Sequence, residues 1–226
     1  MHEPSDEKKE TPQSISWFEG ESFGLHTEEN KDEEKSNANV ALIWRLSVPV
    51  TISSNDYRWL SQNVHCFPWE PIALNVAARS ELDGHPTVLR LYPLRYDPKG
   101  RGSTTPVPWV NMYFLVCPRL ITLVGRLEQA GYIDKFDLRI EHDPECADQF
   151  LRDHNSYAAE RWGLLTLEDR NYAISKGYEN VLQNSGVCGV FYKRRVKCLH
   201  AHYAHYLASN QTTLVGKWIH DALTPV

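Results

Sequence analysis

No apolar run in these 226 residues approaches the ~20 that a membrane-spanning helix requires, so no transmembrane segment is expected. The first residues, Met1-His2-Glu3-Pro4-Ser5-Asp6, lack both the apolar core of a secretory signal and the arginines of a transit peptide. A cytoplasmic or nuclear protein is therefore the expectation. The five cysteines (66, 117, 146, 188 and 198) are odd in number and include no C-x-x-C pair, which reads as reduced thiols rather than a disulfide framework. Walker-type phosphate loops, dinucleotide glycine fingerprints and G-x-S-x-G nucleophile elbows are all missing. So is an internal repeat. Basic charge is scarce as well. The net charge is −5, with eleven acidic residues and four lysines in residues 1–39 alone, which leaves the body at +2. Such a body gives no case for bulk electrostatic binding to nucleic acid.

What is present has a clear order. Residues 1–39 are polar and acidic without sustained periodicity, and read as a disordered tail; within it lies the aromatic patch Trp17-Phe18. Residues 40–226 read as a single globular domain. A β-rich run covers Val40 to Val50, with Pro49 suiting an edge strand. Ser53 or Ser54 can cap a short helix. Three strand candidates follow, Ile72 to Ala78, Thr87 to Tyr92 and Trp109 to Val116, separated by turn-rich stretches that suggest an antiparallel meander. Beyond them the pattern turns helical. Pro118 opens a helix that runs up to Gly131, and Pro144 opens a longer one to about Trp162. Thr166 with Asp169 resembles a capping box, and Leu214 to Leu223 forms the last helix. Strands first and helices after predict an α+β fold, a small antiparallel sheet followed by a helical C-terminal half.

The chemistry-bearing residues concentrate between 194 and 208. Cys198, His200, His202 and His205 fall within eight residues, and no Asp, Glu, Lys or Arg occurs between Lys197 and Lys217. Read as a helix from Cys198 onward, the spacing sets Cys198, His202 and His205 at i, i+4 and i+7 on one arc, with His200 turned away. Two readings stay open. The histidines are neutral core residues, or the thiol and imidazoles converge as metal ligands or acid/base groups. In the second reading Cys117, Cys198, His202 and His205 make a four-ligand zinc site. Cys117 sits just before a helix N-terminus, where the dipole favours a thiolate. A second stripe, His154, Tyr157 and Arg161, recurs on one helix face at i, i+3 and i+7, a combination suited to an anionic ligand with histidine as acid or base.

Val196-Lys197-Cys198-Leu199-His200 with Ala204-His205 resembles the C-terminal signature of a largely bacterial family catalogued as domain of unknown function five-hundred-and-one. Thr105 to Pro108, Tyr113 to Leu120, Arg126-Leu127-Glu128 and Gly131 fit the same pattern, as do His154, Tyr157 and Arg161. The resemblance covers roughly residues 75–217. Ser80 stands where that family commonly has a cysteine, the loop at 95–105 looks longer, and His202 lies outside the pattern. The resemblance implies a fold unit and leaves the activity open.

The functional expectation is a polar pocket centred on Cys198 and His205 from one helix and His154, Tyr157 and Arg161 from another. It would bind a small anionic ligand or a metal, with zinc fitting the donors, and support hydrolysis. The alternative is a non-enzymatic interaction module that recruits a protein partner, its histidines being structural.

Overall fold

Ser53 opens the first helix by accepting a hydrogen bond from the Asp56 backbone N–H at 3.1 Å, the side-chain cap its sequence position predicts. The structure is a computed structural model that describes residues 50–65, 69–70, 72–95, 106–191 and 195–224. The tail 1–39, the strand expected at 40–49 and Cys66 lie outside these residues. Helix α1, Ser54–Asn63, is tied to the sheet through Asp56, which accepts 2.7 Å bonds from both terminal nitrogens of Arg79. The Arg79 guanidinium holds the Asp56 carboxyl down at about 2.

The main sheet comprises β1 (Ala73–Arg79), β2 (Pro86–Leu91) and β5 (Tyr113–Leu115), beside a separate two-stranded sheet of β3 (Leu94–Arg95) and β4 (Val107–Pro108). The order of the main sheet is β1-β2-β5, antiparallel throughout, so the three expected strands do lie side by side. The last of them is shorter than its apolar run. The β3–β4 pair takes up the turn-rich excursion instead, joined through Leu94 to Pro108 and Arg95 to Val107.

Alternation along the strands decides which helix each face meets. Val88, Tyr113 and Leu115 face the main core, whereas Leu89, Leu91 and Val116 pack with Leu60, Val64, Trp69 and Ile72 beneath α1. Among the described residues seven α-helices cover the remainder: α2 (Pro118–Gln129), α3 (Tyr132–His142), α4 (Pro144–Leu164), α5 (Leu167–Ser175), α6 (Glu179–Asn184), α7 (Leu199–Ala208) and α8 (Leu214–Leu223). The caps follow local chemistry. Asp143 accepts from the Glu145 and Cys146 N–H groups at the start of α4, and Thr166 accepts from Asp169 at the start of α5. Helix α3 has no side-chain cap. Gly131, at φ +74°, turns the chain directly from α2 into it, so the glycine that looks like a terminator is a hinge between two helices.

Helix α7 packs between β5, α2 and α8 and has six of its ten residues from Ala201 to Tyr206 buried without a break. The result is an α+β single domain, and among the described residues no helix is long and apolar enough to cross a membrane.

Candidate metal centre

Cys198 does not belong to the helix that follows it. Its backbone is extended (φ −152°, ψ 120°), and it is the N-cap residue of α7. The expected arc of Cys198, His202 and His205 is therefore corrected: an extended N-cap does not share the helical period of the residues after it. The strand-like approach to Cys198 is fixed by two carboxylates. Asp137 on α3 accepts the Val196 N–H at 2.6 Å, and Glu128 on α2 accepts the Leu199 N–H at 2.7 Å. Glu128 thus caps α7 from another helix, where its negative charge also suits the positive end of the dipole.

The same Glu128 oxygen lies 3.2 Å from His200 Nδ1. Cys198 Sγ lies 3.9 Å from that nitrogen, and His200 Nε2 reaches the Ile121 carbonyl at 3.0 Å. A carbonyl only accepts, so Nε2 carries a proton and Nδ1 is the nitrogen turned toward the thiol and the carboxylate. Glu128, Cys198 and His200 each offer one ligand atom, all within 4.8 Å of one another, and each residue is half-buried. These are the described residues that could hold a metal.

The charges support one another. Burial opposes the imidazolium of His200, but hydrogen bonds with Cys198 and Glu128 outweigh it and push its pKa up to about 10. The Cys198 thiol is lowered, chiefly by contact with the Cys188 side chain, with His200 adding to the effect and burial resisting it. Cys188 is raised by the same contact and by its own burial. Burial alone would raise Glu128, yet His200 holds it below the usual carboxylate range.

The other expected site residues lie elsewhere, in the interior. His154, Tyr157 and Arg161 share one face of α4, as their spacing predicts, and all three are fully or almost fully buried. Tyr157 accepts the Met112 N–H at 2.6 Å. Arg161 donates to the carbonyls of Val110, Val181, Leu182, Ser185 and Gly186 and to the Ser185 hydroxyl, so its guanidinium is occupied by backbone instead of an anion. His154 Nδ1 accepts the Val187 N–H at 3.0 Å.

His202 and His205 do meet that helix, but as core. The His202 ring is 5.4 Å from His154 and 5.7 Å from Phe150, and His205 stacks on Tyr113 at 5.8 Å and against Tyr157 at 4.9 Å. Burial lowers both imidazoles, His205 to about 4, and at His202 the neighbouring His154 and His205 add repulsion in the same direction. Both are neutral at physiological pH. Cys117 is the N-cap residue of α2, without a side-chain cap bond, and lies near Tyr203. The structure thus joins Cys198 to Glu128 and His200, and joins His154 to His202 and Tyr157 to His205. Among the described residues, the group of possible metal ligands around Cys198 does not include His202, His205 or Cys117.

Glu128 and His200 are the residues that spacing along one helix could not find. Glu128 is seventy positions from Cys198 and meets it only because α2 packs against α7. His200 was turned away from the wrong set of partners. Their one shared sequence signal is that both lie in stretches matching the family pattern. No curated protein and no solved structure matches this chain. The family described as "Protein of unknown function (DUF501)" matches residues 76–221, well over half of the sequence and the whole of the Glu128–Cys198–His200 group, and the chain belongs to that family.

Proposed function

We propose that this chain binds one divalent cation of the zinc class through Glu128, Cys198 and His200, leaving a fourth position for water or an oxygen of a small anionic ligand. The observation that carries this reading is the spacing of the three donor atoms. Tetrahedral zinc with ordinary bond lengths sets N and O ligands about 3.3 Å apart and S and N ligands about 3.6 Å apart. The Glu128–His200 and Cys198–His200 separations here are 3.2 Å and 3.9 Å, within a few tenths of an ångström of those values, and all three donor atoms lie within 4.8 Å of one another. The outer arrangement also fits. A metal-binding histidine ordinarily gives its remaining N–H to a carbonyl or carboxylate, as His200 gives Nε2–H to Ile121.

The energetic balance supports the same reading. Removing the proton that His200 holds up to about 10 costs about 4 kcal/mol at pH 7, against roughly 10–16 kcal/mol for zinc binding in structural sites. Three protein ligands with an open position are the catalytic pattern, and zinc held so brings a coordinated water toward neutrality, chemistry suited to hydrolysis.

Elemental analysis of protein purified under reducing conditions tests the proposal. About one zinc per chain is expected, lost in Cys198→Ala and His200→Gln while His205→Gln keeps it. Wild-type protein that stays metal-free after exposure to zinc would overturn the reading. So would equal zinc content in the His200→Gln variant.

A further inference from the structure

Two neighbouring helices leave apolar side chains open to solvent where they meet. On α3, Asp134, Asp137, Leu138 and Glu141 recur at i, i+3, i+4 and i+7 on one face. On α4, Pro144, Ala147, Asp148 and Leu151 do the same. The two faces line one groove of about 1200 Å³, together with Asn184 and Phe191. Leu138 is 55 % exposed, Leu151 42 % and Phe191 49 %. Single exposed apolar residues are ordinary, but three that converge in one groove mark a surface made to be covered. Its volume exceeds the roughly 300–1,000 Å³ of small-ligand sites and suits a peptide.

Charge gives the chemistry of the cover. Four carboxylates line the groove against one guanidinium, Arg195, which pairs with Asp137 at 3.5 Å. Asp134, Glu141 and Asp148 are exposed, and among the described residues they have neither an ion pair nor a side-chain hydrogen bond. The bases of the same helices are held by other groups. Lys135 and Arg139 lie over the rings of Tyr132 and Trp218, at 4.1 and 4.2 Å, and Arg152 donates to Gln149. This sorting leaves the groove apolar and negative at once.

We propose that the α3–α4 groove docks a basic amphipathic helix of a partner protein. Its apolar side chains, spaced at i, i+3 or i+4 and i+7, would meet Leu138, Leu151 and Phe191, and its lysines or arginines would face Asp134, Glu141 and Asp148. The chain's own tail has the wrong sign. Residues 1–39 hold eleven acidic residues against four lysines, and Glu19 and Glu21 follow the Trp17-Phe18 patch, so like charge opposes its docking. A second copy joined groove to groove would set the same carboxylates against each other. The groove needs no metal, so it stands whether or not Glu128, Cys198 and His200 hold one.

The test uses the full chain and a fluorescein-labelled synthetic helix of leucine and lysine, with every leucine on one face, read by fluorescence anisotropy. Binding is expected, about tenfold weaker for a scrambled peptide of the same composition and lost when glutamate replaces lysine. Leu138→Ser and Leu151→Ser should each weaken it about tenfold at unchanged melting temperature, since both side chains are exposed. Asp134→Lys with Glu141→Lys should weaken it in dilute buffer, with the difference narrowing in high salt. No binding to the wild type overturns the site. Equal binding by the serine variants, or by the scrambled peptide, reduces the attraction to bulk charge and overturns it as well. A carbodiimide crosslink from Lys8, Lys9, Lys31 or Lys35 to Glu141 in the peptide-free chain makes the tail the occupant. A dimer dissolved by Leu151→Ser makes it a second copy. Either result overturns the partner.

Discussion

Helix α7 carries two histidines of opposite character, His200 and His205, five residues apart. His200 turns toward α2, where Glu128 and Cys198 push its imidazole up to about 10. His205, on the inner side of the same helix, faces Tyr113 and Tyr157 and is held down to about 4 by burial alone. Backbone, helix and residue type are common to both. What differs is the neighbour: a carboxylate and a thiol on one side, aromatic rings on the other. The charge of a histidine is therefore a property of the surface it meets, and one short helix here separates a charged, half-exposed group from a neutral, dry one.

The sharpest way to break the inner side is Gly186→Ala. A Cβ built at Gly186 would fall 1.7 Å from His154 Nδ1, so the methyl displaces the ring that accepts the Val187 N–H. A loss of about 3 kcal/mol or more in stability is expected from such overpacking, read as a large drop in melting temperature. An unchanged melting temperature would show that the inner cluster yields freely.

Acid probes the same comparison without mutation. His205 has a folded pKa below its unfolded value of about 6.5, so the unfolded chain binds more protons between the two. Stability is then lost as pH falls from about 6.5 toward 4, by about 3 kcal/mol for His205, and His202 adds loss in the same direction. His200 has the opposite sign. Its raised pKa supplies stability that is complete below about 6.5 and disappears as pH rises through about 10. Urea denaturation from pH 4 to 10 should give a dome whose acid limb flattens in His205→Gln and whose alkaline limb flattens in His200→Gln. Interchange of those two effects would reverse the assignment of the two sides.

At fixed neutral pH, His205→Gln should cost roughly 1–3 kcal/mol, since it replaces a packed ring with an amide that needs partners in a dry site. Zinc uptake should stay as in the wild type. The smallest effect is expected from Asp137→Ala, about 1 kcal/mol, because it removes the acceptor of the Val196 N–H and an exposed pairing with Arg195 that contributes little. Its value lies in the ligand assay. Weaker zinc affinity shows that Asp137 helps to place Cys198, and unchanged affinity shows that α7 and Glu128 suffice.

The fold was written locally to a large extent. Ser53, Asp143 and Thr166 cap the helices that their positions predict, and the final helix spans Leu214–Leu223 as its apolar pattern indicates. Helix α3 escaped notice because neither of its usual signals exists. Its N-cap is a glycine with positive φ, and its last turn runs straight into Asp143, which already caps the next helix. The stripe of His154, Tyr157 and Arg161 was legible as a shared face, but spacing cannot say whether a face meets solvent or core. The position of Cys198 was illegible for a more specific reason. Cysteine is not a favoured N-cap residue, so nothing in the sequence placed the start of α7 after Cys198 instead of before it. That shift of one residue removes the thiol from the arc of His202 and His205. Its actual partner, Glu128, belongs to a helix whose approach is settled by tertiary packing.

Arg161 has a consequence of another kind. Its guanidinium bonds to carbonyls on both sides of the main core, Val110 before β5 and Val181 to Gly186 at the end of α6. All of these acceptors are uncharged, and the side chain is sealed from solvent. Dissolved ions weaken attraction between exposed charges, and this joint contains no such pair for them to reach. Brine that loosens the surface bridges Lys217–Asp221 and Arg195–Asp137 should leave the Arg161 clasp as tight as in dilute buffer.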